Sequence, residues 1–152
     1  MRDYLFSDAQ ALSTLDSTGV VSSNVFDMEL AASGGAAILT NDQLVGVLNV
    51  RINSSTNTVA GGTEGMDILL LSNDNADMTT GTEVELARIH LTYAEIVTGT
   101  IKNVAVCTPL TQCFVGVWYK ATSTSLDGAT AAEAWMDIAP VTANDSIQKV
   151  PA

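Results

Sequence analysis

Positive charge is scarce in this chain. Six Lys and Arg stand against seventeen Asp and Glu among 152 residues, giving a net charge of −11 and a pI near 4.1. Arg2, Arg51, Arg88, Lys102, Lys120 and Lys149 are scattered singly. No cluster neutralises a row of phosphates, and the overall field repels nucleic acid, so no nucleic-acid partner is expected. Long hydrophobic runs are also missing. No stretch reaches the roughly 18 apolar residues of a membrane helix, so no membrane partner is expected either. The opening Met1-Arg2-Asp3-Tyr4-Leu5-Phe6-Ser7-Asp8 lacks the apolar core of a secretion signal, and synthesis in the cytosol is the expectation. Cysteine is limited to Cys107 and Cys113. They form no CxxC motif and have no second pair to complete a zinc site, so two reduced, buried thiols on one hairpin are expected. A bridge between them requires that they stand opposite each other.

What the chain does have is small aliphatic mass. Hydrophobic residues make up 47%, aromatics only 5% and charged residues 15%, with a mean hydropathy of +0.26. That excludes a disordered chain, which combines low hydrophobicity with high charge density. The length matches one domain with a core sufficient to fold without staples. The apolar surplus points to surface buried against another chain.

Thr, Ser, Asn, Asp and Gly punctuate the sequence at short intervals, the signature of an all-β sandwich or barrel. Asn24–Leu30 alternates with Phe26, Met28 and Leu30 on one face, and Leu44–Ile52 places Leu44, Leu48, Val50 and Ile52 together. Met66–Leu71 is a continuous apolar run suited to a strand buried on both faces, followed by a loop from Ser72 to Gly81. Glu83–Tyr93 alternates again, Ile101–Cys107 and Phe114–Ala121 flank a turn at 108–111, and Ala131–Ile138 favours strand over helix. Ser7–Leu15 is the one other helix candidate, with Ser7 or Asp8 as its cap. Residues 1–7 and 147–152 read as terminal arms on a single domain spanning 1–152.

Chemistry is sparse. Every Ser-His-Asp or Cys-His arrangement would have to run through His90, the one histidine, which sits between Ile89 and Leu91 in an alternating strand. Neither Gly34-Gly35 nor Gly61-Gly62 precedes a phosphate-cradling helix. Asn73-Asp74-Asn75-Ala76-Asp77 offers hard oxygens but fails the EF-hand pattern, because Met78 stands where glycine is required. A polar connecting loop is the reading there. Glu83 and Glu85 share a strand face and read as a solvated surface. Trp118 and Tyr119 point to opposite faces of their strand, which argues against a sugar-stacking platform built from both. No catalytic residue, metal or cofactor is assigned.

The order of short motifs resembles a known family. Leu5-Phe6-Ser7-Asp8-Ala9-Gln10-Ala11-Leu12, then Ser22-Ser23-Asn24-Val25-Phe26-Asp27, is similar to the start of small capsid cement (decoration) proteins of short-tailed double-stranded DNA bacteriophages. Met66–Leu71 followed by Ser72-Asn73-Asp74-Asn75 fits the middle, and Phe114-Val115-Gly116-Val117-Trp118-Tyr119, Gly128 and Ala134-Trp135-Met136-Asp137 fit the end. One departure is Cys113-Phe114, where relatives carry an Arg-aromatic pair. The resemblance implies a jelly-roll β-sandwich on the outer face of the virion's icosahedral head, made in the bacterial cytoplasm. Its partners would be the major capsid protein and itself, as a homodimer ahead of a trimer. Tyr4, Leu5 and Phe6 are the candidate protein contacts, because an apolar arm marks an interaction site; the competing reading has them cover one end of the sandwich. A carbohydrate-binding module or adhesin, and a head-completion or tail-tube component, are the competing classes.

Overall fold

The computed structural model describes residues 4–12, 15–28, 43–56, 65–110, 112–122, 126 and 130–138. Nine strands carry these residues: β1 (Tyr4–Ala11), β2 (Val20–Val21), β3 (Phe26–Asp27), β4 (Gln43–Ser55), β5 (Met66–Asn73), β6 (Glu83–Leu91), β7 (Ile101–Pro109), β8 (Phe114–Ala121) and β9 (Thr130–Ile138). One sheet has the order β1-β9-β4-β7; the other runs β2-β8-β5-β6, with β3 also paired to β8. All pairings are antiparallel. When β2 and β3 are counted as one interrupted strand, eight strands form two four-stranded sheets of interleaved Greek keys, which is a jelly roll.

Period-2 alternation builds the core between the sheets. Leu48, Val50 and Ile52 from β4 and Ala132, Ala134 and Met136 from β9 face Met66, Ile68 and Leu70 from β5 and Val115, Val117 and Tyr119 from β8. The expected two-sided burial of β5 is present. Leu69 and Leu71 point away from the main core into a second cluster with Met78, against which Val21, Val25, Phe114 and Trp118 pack.

Three sequence expectations are corrected. Ser7–Leu15 does not begin a helix: the chain stays extended through Ala11, because bulges let its polar run pair with β9. Tyr4–Ser7 is the first half of β1 rather than a free arm; residues 1–3 and 147–152 lie outside the described residues. The segment around 108–111 is not a hairpin, since β7 and β8 belong to different sheets.

The bulges are held by side chains. β1 is irregular between Leu5 and Ser7 and again between Ser7 and Gln10, where Ala9 adopts a φ of 49°. Ser7 is thereby turned into the core. Its Oγ accepts from the Ala134 N–H (3.1 Å), donates to the Ala132 carbonyl (3.4 Å) and is hydrogen-bonded to the Tyr119 hydroxyl on the facing sheet. Burial pushes the Tyr119 phenol well above its usual range, so it stays neutral and able to donate. Between β2 and β3, Ser22 plays the same part: Oγ accepts from Val117 N–H (3.0 Å) and donates to the Asn24 carbonyl (2.8 Å).

Candidate functional site on the outer faces of the sandwich

The inner residues are committed to the core, so chemistry and recognition fall to the outer faces and edges. On the β8-β5-β6 face, Asp67 lies in register with Lys120 on one side and His90 on the other. Asp67 binds His90 Nδ1 at 2.7 Å and Arg88 at 3.0 Å, and Arg88 also holds Glu85 at 2.8 Å. The Arg88 guanidinium keeps the Glu85 carboxyl below its usual range. Among the described residues no hydroxyl or thiol is hydrogen-bonded to His90, so the Asp-His pair lacks the nucleophile of a triad. Exposed pairs of this kind contribute little stability.

The loop from Asp74 to Thr82 folds over the same face, with Met78 as its buried plug. Its carboxylates are occupied by the chain itself. Asp77 accepts from the backbone N–H groups of Thr79 and Thr80 at 2.9 and 3.0 Å, which lowers its pKa. Asp74 accepts from Thr82 N–H at 2.7 Å. Gly81, at a φ of +89°, passes so close to Asp74 that a Cβ would lie 2.1 Å from its Oδ1. Among the described residues no group of three His, Cys, Asp or Glu side chains is gathered for a metal.

The sequence candidates separate. Phe6 is 1% exposed and packs in the core, edge-on to Phe26, while Tyr4 stacks at a tilt on Phe26. Leu5 is half-buried and registers with Trp135 on the outer side of β9. Phe6 is therefore a core residue rather than a partner contact. Trp118 and Trp135 lie on opposite outer faces of the sandwich, and Lys120 Nζ sits 4.2 Å above the Trp118 ring, so no shared aromatic platform forms. Cys107 is exposed and Cys113 half-buried, and both are free. The expectation of two buried thiols on one hairpin is corrected, because the strand containing Cys107 turns that side chain away from the core.

Sequence reasoning missed the outer face of β4 and β7. Ile101, Asn103, Ala105, Cys107 and Pro109 are all exposed there, and among the described residues Ile101 (57%), Val97 (52%) and Val47 (37%) are the large apolar side chains most open to solvent. The alternation of β7 is visible in the sequence, but not that its outer row stays uncovered. The cations of β4 and β7 are paired: Arg51 reaches the buried Glu133 at 2.6 Å, and Lys102 pairs with Glu95 at 2.6 Å.

Glu95 closes a capping box with Thr92 ahead of a short 3-10 turn, Tyr93–Glu95. Lys102, and then the Thr92 backbone N–H, hold its carboxyl down to about 2. A carboxylate lowered on folding contributes stability above its unfolded pKa, near 4.5, and loses that contribution as pH falls through about 2. The denaturation midpoint of Glu95→Gln is therefore expected to fall below wild type at pH 7, and the gap to narrow on titration through this window. A gap unchanged with pH would contradict the assignment.

Among the described residues no helix is long and apolar enough to cross a membrane. No protein-family model matches the chain, and no curated protein matches it.

Proposed function

We propose that this chain is a capsid cement protein: a structural subunit that binds the outer surface of an expanded icosahedral bacteriophage head and holds neighbouring major capsid proteins together against internal DNA pressure. The observation that carries this reading is the fold. The resemblance of short motifs along the sequence implies a jelly roll, and the strand orders β1-β9-β4-β7 and β2-β8-β5-β6 are those of one. The electrostatics support it, because a chain of net charge −11 is repelled by packaged DNA and suited to the outside of the shell. The loop between β5 and β6 fits a structural part as well, since its carboxylates Asp74 and Asp77 are satisfied by backbone N–H groups.

The mechanism is binding energy placed across a joint. A subunit bridging two capsomers must lose its contacts before they separate, and many modest joints around a closed shell add up through avidity. A sandwich suits this role, since its sheets are cross-linked by buried contacts such as Ser7–Tyr119 and do not shear easily. The test is co-sedimentation of the purified protein with expanded heads and with unexpanded precursor shells of the phage that encodes it. Saturable binding to expanded heads alone is expected; binding to neither overturns the reading.

A further inference from the structure

A β-sandwich has four sheet edges, and an unprotected one is a template for pairing with another chain. Three of the four edges here are blunted. β1 carries two bulges and is closed against the β2-β3 segment by the Asn24 N–H to Phe6 carbonyl bond and by the side chains of Gln10 and Asn24. The β2-β3 edge consists of two two-residue strands. β6 is irregular opposite Leu70 and Leu71 and bears Glu83, Glu85 and Arg88.

Among the described residues β7 carries no bulge and is not shortened, and its edge-protecting residues stand only near its two ends, Lys102 at one and Pro109, which has no N–H to offer, at the other. It pairs with β4 in unbroken register from Gln43↔Pro109 to Arg51↔Ile101. Its one charged residue, Lys102, is held by Glu95. Among the described residues no backbone hydrogen bond outside the β4–β7 ladder is made by Ile101–Pro109. We propose that the free edge of β7 pairs antiparallel with β7 of a second copy, across a twofold axis at Ala105, joining two four-stranded sheets into one of eight strands.

The occupant is argued from charge and symmetry. Two chains of net charge −11 repel each other, so self-contact is favoured where the surface is neutral, whereas a basic foreign partner would be drawn to the acidic remainder. β7 is also self-complementary about its centre. Ala105 meets Ala105 of the partner subunit, residue 103 faces 107, and 102 faces 108, so Lys102 meets a threonine rather than another lysine. Val47 registers with Ala105, so the exposed row Val47–Ala105 would run on across the seam as one apolar line. This inference deepens the self-association in the cement reading and identifies the surface responsible.

The test is cross-linking. With Cys107 and Cys113 changed to Ser, Ala105→Cys is expected to give a disulfide-linked dimer on mild oxidation, because directly opposed strand residues lie within disulfide reach. Wild type is expected to give none through Cys107, since the two copies of that residue would stand four positions apart, roughly 13 Å. Ala105→Asp opposes two carboxylates on the axis, and native mass spectrometry is expected to change from dimer to monomer while the circular dichroism spectrum persists and the unfolding midpoint loses its dependence on protein concentration. A wild-type monomer, a dimer indifferent to Ala105→Asp, or a dimer without the Ala105→Cys link would each overturn the proposal. Head binding by monomeric Ala105→Asp would preserve the cement reading, whereas dimers that ignore heads would end that reading and leave the β7 seam standing.

Discussion

Ser7→Ala is expected to destabilise the fold by about 2–4 kcal/mol, well beyond the ordinary cost of losing one hydrogen bond, because it leaves two buried donors without acceptors. The Ser7 hydroxyl is fully engaged, accepting from Ala134 N–H and from the Tyr119 hydroxyl while donating to the Ala132 carbonyl. Removing it strands the Ala134 N–H at a bulge and the Tyr119 O–H in the core, where Tyr119 is 0% exposed. Tyr119→Phe removes a donor and leaves Ser7 with both backbone partners, so its cost is expected near 1 kcal/mol. The double variant should cost less than the sum, since the two groups are each other's partner. Urea denaturation of the four proteins checks this. Ser7→Ala costing no more than Tyr119→Phe would show that the hydroxyls do not pin the sheets together.

Leu70→Ala is expected to cost about 4 kcal/mol and its neighbour Leu71→Ala about 2 kcal/mol, within the range for buried leucine truncations. Both side chains are buried, at 0% and 3% exposure, but they point to opposite faces of β5. Leu70 sits between the sheets, where β4, β8 and β9 residues fix the walls, so the cavity cannot collapse. Leu71 sits under Met78 and the Asp74–Thr82 loop, which can settle into the space and recover part of the loss. Equal costs in thermal or chemical unfolding would mean that the loop is as rigid as the sheets.

This contrast between faces also marks how far the sequence is legible. Met66–Leu71 declares a strand buried on both sides because its apolar run has no period, and β4, β6, β8 and β9 declare themselves by alternation. β1 does not, because its polar stretch Ser7-Asp8-Ala9-Gln10 breaks the period at the bulges that point Ser7 inward. The interruption between β2 and β3 is hidden for the same reason: Ser22 replaces a backbone rung with its hydroxyl, which no residue pattern announces. The turn residues around Pro109 signal a reversal but not its destination, so β7 and β8 read as a hairpin although they belong to different sheets. Phe6 shows the limit for function. An apolar terminus looks like an exposed arm until a partner strand, here β9, is known to bury it. The Asp67-His90 contact joins residues 23 positions apart, and it becomes visible only through the pairing of β5 with β6.

The proposed cement role is mechanical, and retention of packaged DNA by phage heads reads it out. Heads stripped of the protein and heads reloaded with it would be heated in parallel, with DNA release followed by dye fluorescence. Reloading is expected to raise the release temperature saturably with the amount bound, and bound Ser7→Ala to restore less of it. Release at the same temperature with and without saturating bound protein would rule out a cement role.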